Sequence, residues 1–226
     1  MQIKVLGISL TDMGLREMLR KTDVLLNNGA LNTIAYVSTQ KLVEASEQEE
    51  EKRCIEELDM TVCEDTEVLK AAGITSKSRI REVEQEEYLI EFLRKVKHNH
   101  YSTFLFADTP QELNSLEEDL RTVMSALPIR GRATLSEYNG NKESIINAMN
   151  VVAPMVILSR FPFPQELELM QEYRMQVNAE VWLTLPQHFG KKRKSFFINF
   201  KEKLNHRKFA KKVTQFQDGE DNQNNQ

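Results

Sequence analysis

The pattern of apolar and polar positions is clearest between Val151 and Met170. Residues Val151 to Leu158 carry no charge and are almost all apolar, which is typical of a strand covered on both faces. Ser159 to Pro164 hold two prolines within three positions, so we expect the chain to leave the sheet there. A helical pattern starts at Gln165. Since ligands of open parallel sheets bind outside the carboxyl ends of the strands, we expect Arg160 to Glu166 to help build a site.

The same alternation of short apolar runs and helical patterns recurs along the chain. Further strands are predicted at Ile3–Leu10, Ile34–Val37, Met60–Cys63, Tyr101–Ala107, Arg132–Leu135 and Val181–Leu185. Helices are predicted after a Thr11-Asp12 cap, from Gln40 to Leu58, over Val68 to Ala72, from Glu84 to Lys97 after a polar connection at Gly73 to Arg81, from Asp108-Thr109-Pro110 onward, and from Glu143 to Asn150. Strands alternating with helices at this spacing predict a Rossmann-like α/β fold, a mostly parallel sheet with helices on both faces.

Composition narrows the class of protein. With 226 residues, 40% of them hydrophobic, the chain suits one large domain or a domain with a small appendage. Two cysteines, Cys54 and Cys63, make no disulfide framework, and we expect a cytoplasmic protein. The eight glycines are scattered, which argues against a dinucleotide-binding or Walker-type loop. We expect no cofactor. We also expect no metal site, because the carboxylates of the acidic run Glu44 to Arg53 have no His or Asn among them and the pair His98 and His100, with one residue between, suits a metal poorly on a loop.

A strongly basic segment follows an acidic body. Lys191 to Lys212 contain ten Lys or Arg residues and one acid, although the whole chain has a net charge of −4. Apolar residues recur among these charges mostly at three- and four-residue steps, at Phe197, Phe200, Leu204, Phe209, Val213 and Phe216. We therefore expect an α/β domain at 1–189, a basic amphipathic appendage at 190–216 and a disordered tail at 217–226.

The basic appendage has two interpretations. An amphipathic helix of this kind suits an anionic membrane surface, and the residues predicted to touch it are Lys191, Lys192, Arg193, Lys194, Phe197 and Phe200. Alternatively, the helix docks on the acidic body or on a protein partner. Nucleic-acid binding is not expected, because no aromatic-rich sheet motif accompanies the charge.

With these elements placed, the order of motifs resembles the WecG/TagA/CpsF family of bacterial glycosyltransferases, glycosyltransferase family 26. The similar segments are VLGISLTDMGLREML, IAYVSTQKLVEA, LDMTVCEDTEVLKAAGI, YSTFLFADTPQELNSLEEDLR and IINAMNVVAPMVILSRFPFPQELELM. Together they cover roughly residues 3 to 187. The resemblance implies transfer of N-acetylmannosamine or a related sugar from UDP to a lipid-linked acceptor, in the synthesis of cell-surface polysaccharide such as that of the cell wall.

The resemblance also implies roles for particular residues. The family's catalytic Asp-Gly falls on Glu64-Asp65, so these carboxylates are candidates for the general base. Candidate substrate-binding residues are Thr39 in the Thr-x-Asn segment, Asp108 in the Gly-Gly segment, Tyr138 near a Gly-Tyr loop, Arg160 as a phosphate partner, and Gln165 and Glu166 in the Pro-Lys-Gln-Glu segment.

Each role has a structural alternative. Asp65 or Thr66 could cap the next helix, and Asp108 could cap the helix after it. Glu166 would be favoured at a helix start by the macrodipole alone. Arg160 could form a salt bridge with the acidic body.

Two functional hypotheses follow. In the first, the protein is a divergent glycosyltransferase at the inner face of the cell membrane, acting on a UDP-sugar, and a homo-oligomer is compatible with this role. In the second, it is a catalytically inactive relative that acts as a partner or regulator of a polysaccharide-assembly complex. The second hypothesis arises because Ala107-Asp108 stand where the family has two glycines, and an aspartate there would repel a diphosphate.

Overall fold

A six-stranded parallel sheet forms the centre of the protein in a computed structural model that describes residues 2–187, 189 and 205–217. The strands are β1 Gln2–Val5, β2 Ile8–Thr11, β3 Asn32–Val37, β4 Met60–Cys63, β5 Thr103–Ala107, β6 Ile129–Thr134, β7 Val156–Arg160 and β8 Val181–Thr184. The helices are α1 Leu15–Leu25, α2 Thr39–Ala45, α3 Glu49–Glu56, α4 Thr66–Ala71, α5 Lys77–Glu84, α6 Glu87–His98, α7 Pro110–Val123, α8 Lys142–Val152 and α9 Gln165–Tyr173, with a short 3-10 helix at Ser136–Tyr138 and α10 at 205–217.

The sheet has the strand order β4-β3-β8-β7-β5-β6, and every neighbouring pair is parallel. One face is covered mainly by α2, α3, α8 and α9, and the other by α1, α6 and α7. Strands β3, β5, β7 and β8 are buried along their whole length, as expected for a parallel sheet covered on both sides. The predicted Rossmann-like α/β fold is confirmed.

The first predicted strand is a hairpin instead. Leu6 and Gly7 both have positive φ angles, 52° and 73°, and they turn the chain between β1 and β2. These two strands pair antiparallel in a small sheet of their own. The following helix is capped by Gly14 and not by Thr11-Asp12.

Several other predicted boundaries were wrong. The apolar run from Val151 is divided between the end of α8 and β7, because an apolar run does not by itself distinguish a helix end from a strand. The helix predicted from Gln40 to Leu58 is two helices, α2 and α3. The polar connection predicted before Glu84 contains α5, and Glu86, with φ 53°, separates α5 from α6.

The C-terminal helix α10 packs on the body of the protein. Phe209 is buried, and Val213 packs against the same core cluster. Lys212 Nζ donates to the carbonyl of Val43 at 3.2 Å and pairs with Glu47. The contacts of residues 205–217 therefore agree with the interpretation in which the basic helix docks on the acidic body of the protein.

The residues predicted to touch a membrane, Lys191, Lys192, Arg193, Lys194, Phe197 and Phe200, lie outside the described residues, as does 218–226 of the predicted tail. Within the part of the chain that is described, no helix combines the length and apolar character needed to cross a membrane.

Candidate functional site

A cavity of about 770 Å³ opens at the carboxyl ends of β3 and β4. Because all six strands are parallel, the loops that follow them meet at this edge of the sheet, where ligands of such folds bind. Glu64 and Asp65, directly after β4, line the cavity together with residues of α5 and α6. Pro186 and His206 contribute from the C-terminal part of the chain.

Asp65 is held by the neighbouring strand end. Its Oδ2 accepts a hydrogen bond from the backbone N–H of Thr39 at 2.7 Å and another from the Thr39 hydroxyl at 3.0 Å. Asp65 occupies the N-cap position of α4, but its side chain makes no capping bond there. The Thr66 hydroxyl donates to Glu67. The carboxylate of Asp65 therefore stabilises the first turn of α2 and joins the loops after β3 and β4.

Glu166 is joined to the same region through Lys41, a residue that the sequence analysis did not single out. The two form an ion pair in which the Glu166 side chain is fully buried, and Lys41 Nζ also donates to the carbonyl of Tyr36 at 2.9 Å. Burial lowers the pKa of the Lys41 ammonium, but the charges of Glu166, Glu64 and Asp65 outweigh burial and raise it overall. Burial raises the pKa of the Glu166 carboxyl, against the opposing effect of Lys41. The buried ion pair thus joins the starts of α2 and α9, and the partly buried carboxylates after β4 lie within its electrostatic reach.

Arg160 forms a separate buried ion pair. Its Nη2 lies 3.0 Å from Oδ2 of Asp119 on α7, and both side chains are 5% exposed. The guanidinium carbon lies 4.9 Å from the ring centroid of Phe189. Burial lowers the pKa of Arg160, and Asp119 opposes that effect. Arg160 therefore takes the salt-bridge alternative in this structure.

The remaining candidates lie elsewhere along the edge. Asp108 follows β5 and its carbonyl accepts from the N–H of Ser136 at 3.0 Å, while the helix after it is capped by Thr109 and not by Asp108. Tyr138 packs against the hydrophobic core. Gln165 begins α9 and is partly exposed. Among the described cavity-lining residues, the predicted site residues are Glu64 and Asp65.

The lining of the cavity is predominantly acidic. It contains Glu64, Asp65, Glu67, Glu82, Glu84 and Glu86, with Arg79 and His206 as the basic side chains of the described lining. Arg79 is bound to Asp12 at 3.1 Å and to Glu82 at 2.8 Å. Burial raises the pKa of the Cys63 thiol to about 12, so this cavity-lining cysteine is a neutral thiol at physiological pH. In the described part of the chain, no three His, Cys, Asp or Glu side chains are placed to hold a metal ion.

Comparison with protein families adds information that is independent of this geometry. Residues 3–189 match the glycosyl transferase WecG/TagA/CpsF family. The chain belongs to this glycosyltransferase family. The match covers the hairpin and all six strands of the main sheet and ends before α10. No curated protein matches the sequence.

Membership of the WecG/TagA/CpsF family confirms the resemblance found from the motifs. It implies a nucleotide-sugar donor and an acceptor as substrates in general terms. Lys41, Arg79 and Tyr36 lie in or beside the candidate site and were not identified from the sequence, since their positions depend on contacts between distant segments.

Proposed function

We propose that this protein is a divergent glycosyltransferase that transfers N-acetylmannosamine or a related sugar from a UDP-sugar to a lipid-linked acceptor. The observation that carries the proposal is the position of Glu64 and Asp65. Both carboxylates follow a strand end, both line a cavity of about 770 Å³, and one is fixed by Thr39. This volume falls within the usual range for small-molecule sites.

In the proposed reaction, Glu64 is the general base. It takes the proton of the acceptor hydroxyl while that oxygen attacks C1 of the sugar, and the bond between C1 and the diphosphate oxygen breaks, leaving UDP with the electron pair. Asp65 and Thr39 hold the loop that carries Glu64. Gln165, Asp108 and Tyr138 are proposed to contact substrate when the donor and acceptor are both bound. Glu166 and Arg160 are proposed to act indirectly, because each is held in a buried ion pair, Glu166 with Lys41 and Arg160 with Asp119.

The lipid-linked acceptor places the proposed reaction at the cytoplasmic face of the membrane. Lys191, Lys192, Arg193 and Lys194 would attract anionic headgroups, with Phe197 and Phe200 as apolar contacts. What supports this part of the proposal is the sequence of the segment.

A second candidate function, an inactive relative that acts as a binding partner, is favoured by the charge of the cavity. Among the residues that the structure describes, six carboxylates line the cavity, and Arg79 is already engaged by Asp12 and Glu82. A diphosphate would have to compete for that arginine and would be repelled by the carboxylates. This candidate predicts that no UDP-sugar binds.

The test is release of UDP from UDP-N-acetylmannosamine by the full chain in the presence of a lipid-linked acceptor. Replacing the base, Glu64→Gln, should lower kcat by about 100-fold or more. The matched control is Glu84→Gln, which removes the same charge from another lining residue and should stay within about threefold of the wild type.

Equal rates for Glu64→Gln and the wild type would remove Glu64 from the mechanism. If the wild-type protein releases no UDP and no UDP-sugar raises its melting temperature, the transferase proposal is wrong and the inactive relative is the better account.

A further inference from the structure

The hydroxyl of Tyr36 is a buried polar group without a hydrogen-bond partner. Tyr36 lies on β3, is 4% exposed, and lines the cavity. Buried polar atoms are nearly always paired, because an unpaired one costs free energy of folding. An exception that faces a cavity is explained if the partner arrives with a ligand.

The hydroxyl of Tyr36 lies beside the start of a helix. Helix α6 has Glu86 at its N-cap position in a left-handed conformation, φ 53°, with no side-chain capping bond. The first amides of a helix have no partner within the helix. The amide of Leu89 in this first turn approaches the Tyr36 hydroxyl and opposes the rise of its pKa, but its geometry falls short of a hydrogen bond. Glu86, Tyr88 and Ile90 of the same turn line the cavity. Two kinds of hydrogen-bond donor therefore meet at one place in the wall.

The surrounding wall is partly aromatic and apolar. The ring of Tyr88 lies 6.4 Å from that of Tyr36, at an interplanar angle of 51°. Unlike Tyr36, Tyr88 already has a partner, since its hydroxyl lies 3.0 Å from Oγ1 of Thr22. Met13, Met18 and Val123 complete the apolar lining. This wall suits a flat group of low polarity.

Charge restricts the kind of acceptor that fits. Burial raises the pKa of Tyr36 well above its usual value, and Tyr88, Glu86 and Glu64 raise it further. The hydroxyl therefore stays protonated and can donate. The nearby carboxylates of Glu86 and Glu64 disfavour an anionic partner. The group that fits is a neutral acceptor, such as the carbonyl oxygen of an amide.

We propose that Tyr36 and the first turn of α6 form a subsite for a neutral, planar amide carbonyl. Two parts of a nucleotide-sugar carry this chemistry, the imide ring of a pyrimidine nucleoside and the acetamide group of an N-acetylhexosamine. The carbonyl oxygen accepts from the Tyr36 hydroxyl and from the free amides of α6. The proposal rests on the proposed function and deepens it, because it assigns the residue that recognises the neutral part of the donor.

The test compares the binding of uridine and of N-acetylmannosamine to the full chain by ligand-observed NMR titration. Tyr36→Phe should weaken by about tenfold the binding of whichever compound places its carbonyl there. Tyr173→Phe is the matched control, because Tyr173 is also buried with an unpartnered hydroxyl but packs beside Trp182 and does not line the cavity. That variant should bind both compounds as the wild type does.

A second readout separates ligand recognition from a structural role. Without ligand, Tyr36→Phe should melt at or above the wild-type temperature, since the substitution removes a hydroxyl that lacks a partner. The subsite is overturned if Tyr36→Phe melts well below the wild type, if it binds both compounds as tightly as the wild type, or if the wild type binds neither compound.

These outcomes are distinct from those of the transferase test. Binding that depends on Tyr36 without UDP release contradicts only the transfer reaction. UDP release with unchanged affinities in Tyr36→Phe contradicts only the subsite.

Discussion

At the scale of the residue, the pair Lys41 and Glu166 is the least expected feature of the edge of the sheet. A carboxylate with no exposed surface requires a partner, and the ammonium of Lys41 provides it. Lys41 is tied in addition to the carbonyl of Tyr36 and lies within electrostatic reach of Glu64 and Asp65. Through Tyr36, which lines the cavity, the pair therefore connects the candidate site with the start of α9.

Replacing Lys41 by methionine should lower the free energy of unfolding by about 3–5 kcal/mol at pH 7, because it leaves a buried carboxylate alone. Without Lys41, the positive charge that lowers the pKa of Glu166 is lost, so burial raises that pKa further. A carboxyl whose pKa is raised in the folded state contributes stability below its unfolded pKa of about 4.3, and this contribution is lost as the pH rises through the folded value. The deficit of Lys41→Met should thus shrink as the pH falls from 8 to 5, as measured by urea denaturation.

The control is the double variant Lys41→Met with Glu166→Leu. Both variants lose the bond to the carbonyl of Tyr36, so the difference between them reports the carboxylate alone. The double variant should recover most of the lost stability. A single variant that is as stable as the double variant at pH 7 would show that Glu166 does not depend on Lys41.

At the scale of the element, the basic C-terminal region has two parts. The structure describes the contacts of the second part, helix 205–217, and the first part is known from its sequence. Helix 205–217 uses Phe209 and Val213 for packing on the body, so this half of the predicted apolar stripe is occupied by protein. Arg207, Lys208 and Lys211 on the same helix are exposed. We therefore assign the proposed membrane contact to the segment from Lys191 to Phe200.

The expected result is that changing Lys191, Lys192, Arg193 and Lys194 together to glutamine abolishes flotation of the full chain with vesicles that contain anionic lipid. Each basic residue near such a surface is worth about 1 kcal/mol. The triple variant Arg207→Gln, Lys208→Gln, Lys211→Gln serves as the charge control and should float as the wild type does. Undiminished flotation of the quadruple variant would remove the membrane contact from this segment.

Elements also show where sequence patterns stop being informative. The alternation of strand and helix patterns was sufficient to predict the parallel sheet and the position of the loop that carries Glu64 and Asp65. It was insufficient to predict the hairpin, because the turn is marked by a single glycine, Gly7, within the mostly apolar run from Ile3 to Leu10. It also placed the start of α6 too early, because nothing in the residue type of Glu86 indicates a left-handed backbone.

At the scale of the whole molecule, the fold and the family could be predicted from the sequence. The side-chain contacts at the carboxyl edge of the sheet could be predicted only in part. The positions after β3, β4 and β7 were predicted as site positions, and the structure brings Thr39, Asp65 and Glu166 into one region. Lys41 in a polar helical pattern is ordinarily a surface residue, so its burial could not be predicted. The unpartnered hydroxyl of Tyr36 likewise depends on residues more than forty positions away.

The proposed function requires that the cavity beside Glu64, at the ends of β3 and β4, binds a nucleotide-sugar. The most direct measurement is amide hydrogen exchange of the full chain with and without UDP-N-acetylmannosamine. We predict slower exchange in peptides that cover residues 63–67, all of which line the cavity, and residues 86–90, of which Glu86, Tyr88 and Ile90 line it. Unchanged exchange throughout the chain, or slowing confined to residues 108–111 and 160–166, would contradict it.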